Sequence, residues 1–280
     1  MRFEVSARLD YEVLASSTVL LNIKPLPSAN QLLLEETFQA TPPARMRELY
    51  SETGEKRFCV IEVPDAGNIS FSYAAQVETR YQVLPGEHLT DVPISQMPAQ
   101  VLSYLSPSRY CQSDRLYKFA AHHFGHLHHA FEKVLAICDW IYAHVEYSGG
   151  HTTPQTSAFD TITEQVGVCR DFAHLGVALC RALTIPARYF TCYAYRLQPP
   201  DFHACFEAYL GGHWVVFDAT RMVPLNGLLK IATGADAAET AFASTFGNLS
   251  FQNLQVKVEA LEPGFHPVNS SPTHGFSYSW

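Results

Sequence analysis

The sequence predicts an α+β protein: an N-terminal β-sandwich, then a domain in which helices precede an antiparallel sheet. Three observations carry this. Apolar and polar residues alternate in short runs through the first part of the chain. Apolar spacing then changes to the i, i+3, i+4, i+7 pattern of a helix. Strict alternation returns around the Gly211-Gly212 pair.

The elements follow in order. Phe3, Val5, Ala7 and Leu9 alternate with polar partners, as do parts of Thr18–Ile23, Leu32–Phe38, Arg57–Val63 and Ile69–Thr79. Pro25-Leu26-Pro27 and Pro64-Asp65-Ala66-Gly67 punctuate these runs, and short strands at such spacing suggest a small sandwich. Leu84 to Asp114 is weakly periodic and reads as a connection. Leu127, Phe131, Val134, Leu135, Cys138, Ile141, Tyr142 and Val145 then mark a helix with one buried face. A second helix is expected from Cys169 to Leu183, with Phe172, Leu175, Leu179 and Leu183 on one side. Strands are expected at Ala187–Tyr195, His203–Leu210 and His213–Ala219, the last two joined at Gly211-Gly212 in a hairpin. A further strand at Asn253–Glu259 is expected to close this domain. The expected division is a sandwich over 1–100, an α+β core over 101–262 and an irregular tail over 263–280.

Composition excludes several classes. The chain has 280 residues, 47% of them hydrophobic, enough for about two domains. Charged residues are only 16%, which rules out a disordered chain or a long solvated coiled coil. A net charge of −8 with no basic cluster argues against nucleic acid, whose phosphates demand a basic patch. No apolar run approaches the length of a membrane span, and Met1–Asp10 reads as a strand rather than a signal peptide. The seven cysteines are widely spaced with no C-x-x-C pair, unlike a disulfide framework or structural zinc site. A cytoplasmic protein with free thiols is expected, with no cofactor and no metal.

Chemistry concentrates in Gly167-Val168-Cys169-Arg170-Asp171-Phe172-Ala173. Cys169 stands where a loop becomes a helix, so unpaired N–H groups and the helix dipole can stabilise an anion there. The same N–H groups can serve an oxyanion. A two-residue turn at Gly211-Gly212 sets Leu210 opposite His213, and by extension Cys205 opposite Asp218 and His203 opposite Thr220. Alternation then puts His203 and Cys205 on one face, with Asp218 diagonal to His203. A Cys, a His and an Asp so arranged can act as nucleophile, base and orienting carboxylate.

Three segments in this order resemble the motifs of the transglutaminase-like superfamily: Gly167–Ala173, the strand beginning Phe202-His203-Ala204, and Trp214-Val215-Val216-Phe217-Asp218-Ala219-Thr220. Arg181–Tyr189 is similar to the family's link from the cysteine helix to the next strand, and the resemblance covers roughly Ser113 to Glu259. The first ninety or so residues resemble the β-domain that precedes this core in many bacterial members. The resemblance implies a papain-like core with catalytic Cys169, His203 and Asp218 acting on a protein, peptide or small amide. Hydrolysis is favoured over amine transfer, since no acidic D-x-D-x-D loop suggests a calcium requirement. Many members carry tryptophan two residues after the histidine, where this chain has Cys205. A non-catalytic binding module on the same fold is the alternative. The histidines at 122, 123, 126, 128 and 129 lack an H-E-x-x-H pattern and read as a polar helix-loop-helix surface rather than a metal centre.

Overall fold

The computed structural model describes residues 1–279. The chain opens with seven strands: β1 (Arg2–Val13), β2 (Ser17–Leu21), β3 (Gln31–Thr41), β4 (Arg45–Tyr50), β5 (Arg57–Val63), β6 (Gly67–Thr79) and β7 (Gln82–Pro85). Helices α1 (Ala99–Leu102), α2 (Ser113–Phe124) and α3 (Ala130–His144) follow. Next come β8 (Glu146–Tyr147), α4 (Ala158–Glu164), β9 (Val166–Gly167) and α5 (Cys169–Ala182). The second half continues with β10 (Ala187–Ala194), β11 (Phe202–Leu210), β12 (His213–Phe217), β13 (Leu228–Gly234) and α6 (Ala237–Thr240). It ends with β14 (Ala243–Phe246), β15 (Leu249–Ala260) and β16 (His274–Ser277).

The sandwich forms as alternation requires. Sheets ordered β15-β1-β6-β3 and β14-β2-β5-β4 bury Phe3, Val5, Leu9, Val19, Ile61 and Phe71 between them. The α+β sheet runs β12-β11-β10-β13. Alternation along β11 sends Ala204, Phe206, Ala208 and Leu210 toward α5, in one core with Leu175, Val177 and Leu179. A Cβ at Gly176 would lie 2.5 Å from the Phe206 ring, so glycine there lets α5 lie close on β11.

Two expectations about the end of the chain are corrected. The Asn253–Glu259 strand forms within β15, but it pairs with β1, and β14 pairs with β2. Both return to the sandwich, while β13 takes the edge of the α+β sheet beside β10. Alternation marks a strand without naming its partner. Nor is the tail irregular throughout: β16 pairs with β7, and Phe276 and Tyr278 are buried against Cys192 and Cys205. The face of the sheet opposite α5 needs an apolar cover, and these two rings supply it.

The halves also share side chains. Tyr193, Phe202, Leu229 and Ile231 from the α+β sheet complete the sandwich core. Glu55, between β4 and β5, pairs with Arg188 on β10 at 2.7 Å. Arg188 in turn holds the buried Glu207 at 2.8 Å, and Lys230 pairs with the same carboxylate.

Candidate active site

Cys169 opens α5. The first turn is held by its own side chains: buried Asp171 accepts from the Val168 N–H at 2.9 Å and from the Thr152 hydroxyl. A Cβ at Gly167 would meet the Asp171 side chain at 2.7 Å, so glycine makes room for this cap. Arg170 donates to the Thr153 and Thr156 carbonyls at 2.6 and 3.3 Å, tying the preceding loop to the helix start. Cys169 is half-buried, whereas the other six cysteines are buried, and all seven are free thiols.

The hairpin register holds as far as Leu210↔His213 through Phe206↔Phe217. There β12 stops, and residues 202–205 of β11 have no partner on that side. Asp218 enters the gap. His203 Nε2 donates to Asp218 Oδ2 at 3.1 Å, both side chains being buried. The carboxylate's other oxygen, Oδ1, accepts from the Thr220 N–H at 2.9 Å and its hydroxyl at 2.7 Å. Thr220 thus turns back to fix Asp218 instead of extending the ladder opposite His203.

Burial works against charge on both partners, yet the pair overcomes it. For His203, burial would lower the pKa. The charge and hydrogen bond of Asp218, then the hydrogen bond and charge of Cys169, raise it well above the ordinary histidine value. For Asp218, burial is outweighed by the charge and hydrogen bond of His203 and by both Thr220 bonds, so its pKa is lowered. The second ring nitrogen, Nδ1, is buried with no hydrogen-bond partner of regular geometry. The structure thus joins His203 to Asp218 and places Cys169 near enough to His203 to help raise its pKa.

Cys205 lies beside His203 and Asp218, its sulfur within 4.8 Å of a ligand atom of each; it also packs with Phe190, Cys192 and Val216, and burial pushes its thiol pKa well up. The five histidines of the α2–α3 region do not gather into a ligand cluster among the described residues. His123 instead stacks on Phe119 at 4.2 Å.

Sequence reasoning missed Tyr147. Its residue pairs in parallel with Gly167, and its ring packs on Phe172 at 5.7 Å. Burial, then the charge of Cys169, pushes the phenol's pKa up, which places the Tyr147 ring close to the Cys169 thiol. Two-residue strands carry no periodic signal, so nothing in the sequence linked Tyr147 to Cys169.

Known proteins resemble both halves of the chain. A family model described as transglutaminase-like superfamily matches residues 118–219, and one described as bacterial transglutaminase, N-terminal domain, matches residues 1–100. A solved structure from Cytophaga hutchinsonii, named a "putative cysteine protease", is 49% identical with a TM-score of 0.97. That match covers 99% of this chain and 97% of the other. An uncharacterized Mycobacterium leprae protein is 28% identical over 142 residues, 47% of this chain. The match spans 50% of that curated relative. The periplasmic domain of TgpA from Pseudomonas aeruginosa is a distant likeness: 16% identity, TM-score 0.39, covering 76% of this chain and 75% of that one. With both halves matched and one relative similar along its whole length, the chain belongs to the transglutaminase-like superfamily, whose membership supports thiol-dependent catalysis in general.

Proposed function

We propose that the protein is a thiol-dependent amide hydrolase, a cysteine protease or amidase. Its nucleophile is Cys169, its base and acid is His203, and its orienting carboxylate is Asp218. The observation that carries this reading is the buried His203 ring, held at Nε2 by Asp218 and facing Cys169 with Nδ1 uncommitted. Asp218 fixes the tautomer and supports the imidazolium. The Cys169 sulfur attacks the carbonyl carbon as His203 holds the proton. Collapse of the adduct breaks the C–N bond, His203 passes its proton to the departing amine, and a thioester remains. Water, deprotonated by His203, then releases the acid and restores the thiol.

The oxyanion falls to the Cys169 N–H at the helix start. The Tyr147 phenol, close enough to Cys169 for the thiol's charge to raise its pKa, serves as the second donor. Hydrolysis is favoured over amine transfer by the name of the similar Cytophaga protein and by the lack of a calcium-type acidic loop in the sequence. Seven free thiols suit a reducing compartment, and a cytoplasmic setting is part of the proposal.

Intact-mass analysis with an activated ester or a glutaminyl peptide tests this. One acyl adduct on Cys169 is expected, absent in Cys169→Ala, with free acid as the product even when a primary amine is added. Tyr147→Phe should slow acylation by about 10²–10³-fold. A predominant amine conjugate would make the protein a transferase. Failure to acylate any thiol, with tight binding to a partner, would favour the binding module.

A further inference from the structure

The strand that carries His203 also carries a thiol that the hydrolytic cycle does not use. Cys205 lies two residues further on β11, on the same face, and is 1% exposed. A ring nitrogen of His203, the Cys205 sulfur and a carboxylate oxygen of Asp218 all lie within 4.8 Å of one another. Among the described residues, no other three histidine, cysteine or acidic side chains form such a group.

Imidazole nitrogen, thiolate and carboxylate together are the donor set of a zinc-class divalent ion, borderline-soft and tetrahedral. Donors about 2.0–2.3 Å from such an ion stand roughly 3.3–3.8 Å apart, so the three side chains need move only on the order of 1 Å. The surroundings suit a metal site. Thr220 anchors Asp218 through Oδ1, leaving Oδ2 free to turn from His203 onto an ion while the carboxylate stays oriented. Cys192, the neighbouring thiol, is engaged with the His203 carbonyl at 3.6 Å, so the protein supplies three ligands and water the fourth. A cavity of about 420 Å³, bounded by Asp139, Arg221 and Leu135, reaches Asp218 from the side of α3. Of the three ligands, an ion entering this cavity meets Asp218 first.

We infer that His203, Cys205 and Asp218 form a binding site for a zinc-class divalent cation, and that its occupation switches the enzyme off. The ion takes the place of the proton between His203 and Asp218, and Cys205 binds as thiolate. One proton from the ring and one from the thiol pass to solvent. His203 is then a metal ligand and is lost as a base. The switching half of this inference rests on the hydrolase reading; the binding half does not.

Cys169→Ala protein separates them, because it lacks the reacting thiol and keeps all three ligands. Its titration with Zn²⁺ against a chromophoric chelator should show one tight equivalent. Titration with Co²⁺ should raise a thiolate-to-cobalt charge-transfer band. Adding Cys205→Ala or Cys205→Ser should abolish the band and weaken Zn²⁺ binding at least about tenfold to a hundredfold, the loss caused even by deleting a residue that only orients a ligand. The serine variant keeps the side chain's size, so it answers for any loss of folding in the alanine variant. Adding Cys192→Ala should leave the band in place. No tight equivalent, or a band that survives loss of Cys205, would overturn the site. Tight binding that leaves wild-type acylation of Cys169 unaffected would overturn the switch. Absence of acylation without any metal would instead count against the hydrolase reading alone.

Discussion

At the scale of residues, everything turns on two buried groups that keep their charges only because they face one another. His203 has its pKa raised, so its contribution to stability is complete below the unfolded value of 6.5 and fades as pH rises through the higher folded value. Asp218 has its pKa lowered, so its contribution is complete above 3.8 and fades as pH falls through the lower folded value. Between those limits the pair supports the fold and holds the ring protonated. Asp218→Asn removes the counter-charge, and burial then wins at His203. Ring-carbon chemical shifts should show a protonated imidazole at pH 7 in the wild type and a neutral one in the variant. Turnover should fall about 10²–10⁴-fold. Identical titrations in the two proteins would contradict the pairing. The helix start at Cys169 and the approach of Asp218 to His203 were legible in the sequence because a helix start and a tight hairpin are local signals. Thr220 was placed opposite His203 by extending the register, and the structure shows why that failed: its own hydrogen bonds to Asp218 end the strand.

At the scale of elements, α5 and β11 set the distance between thiol and imidazole. They pack tightly at Gly176, where an added Cβ would lie 2.5 Å from the Phe206 ring. Phe206 is fully buried and stacks on Phe217 at 5.5 Å, so it has nowhere to retreat. Gly176→Ala should push the helix off the sheet at a cost of about 1–3 kcal/mol. The urea midpoint should fall with an unchanged slope, and acylation at Cys169 should slow. A midpoint equal to wild type would mean that this contact does not set the spacing. The helices α3 and α5 and the strands β10 to β12 were legible from period alone. The strand β13 was not, because every residue but the half-buried Lys230 is buried and Leu228-Leu229-Lys230-Ile231-Ala232 does not alternate.

At the scale of the whole molecule, the chain returns to its beginning. β14 and β15 complete the two sandwich sheets, and side chains of the α+β sheet fill the sandwich core. Sequence could find each strand, but partners more than two hundred residues apart, such as Val5 and Val258, leave no local trace. The two halves should therefore unfold together. In a Trp280→Phe background, tryptophan fluorescence reports only Trp140 and Trp214 in the α+β half, while far-UV circular dichroism weighs every strand. Their urea transitions should coincide in the full chain, and a variant ending at residue 242 should show both shifted to lower urea. Two separated transitions in the full chain would contradict a shared core.

The most direct measurement is the iodoacetamide alkylation rate of each cysteine against pH, by peptide mapping, in wild type and His203→Ala. Cys169 should react fastest of the seven, and should lose that advantage near neutral pH without His203, although its exposure is unchanged. A Cys169 that reacts equally fast in both proteins would mean that His203 does not activate it, and the hydrolase reading would fall.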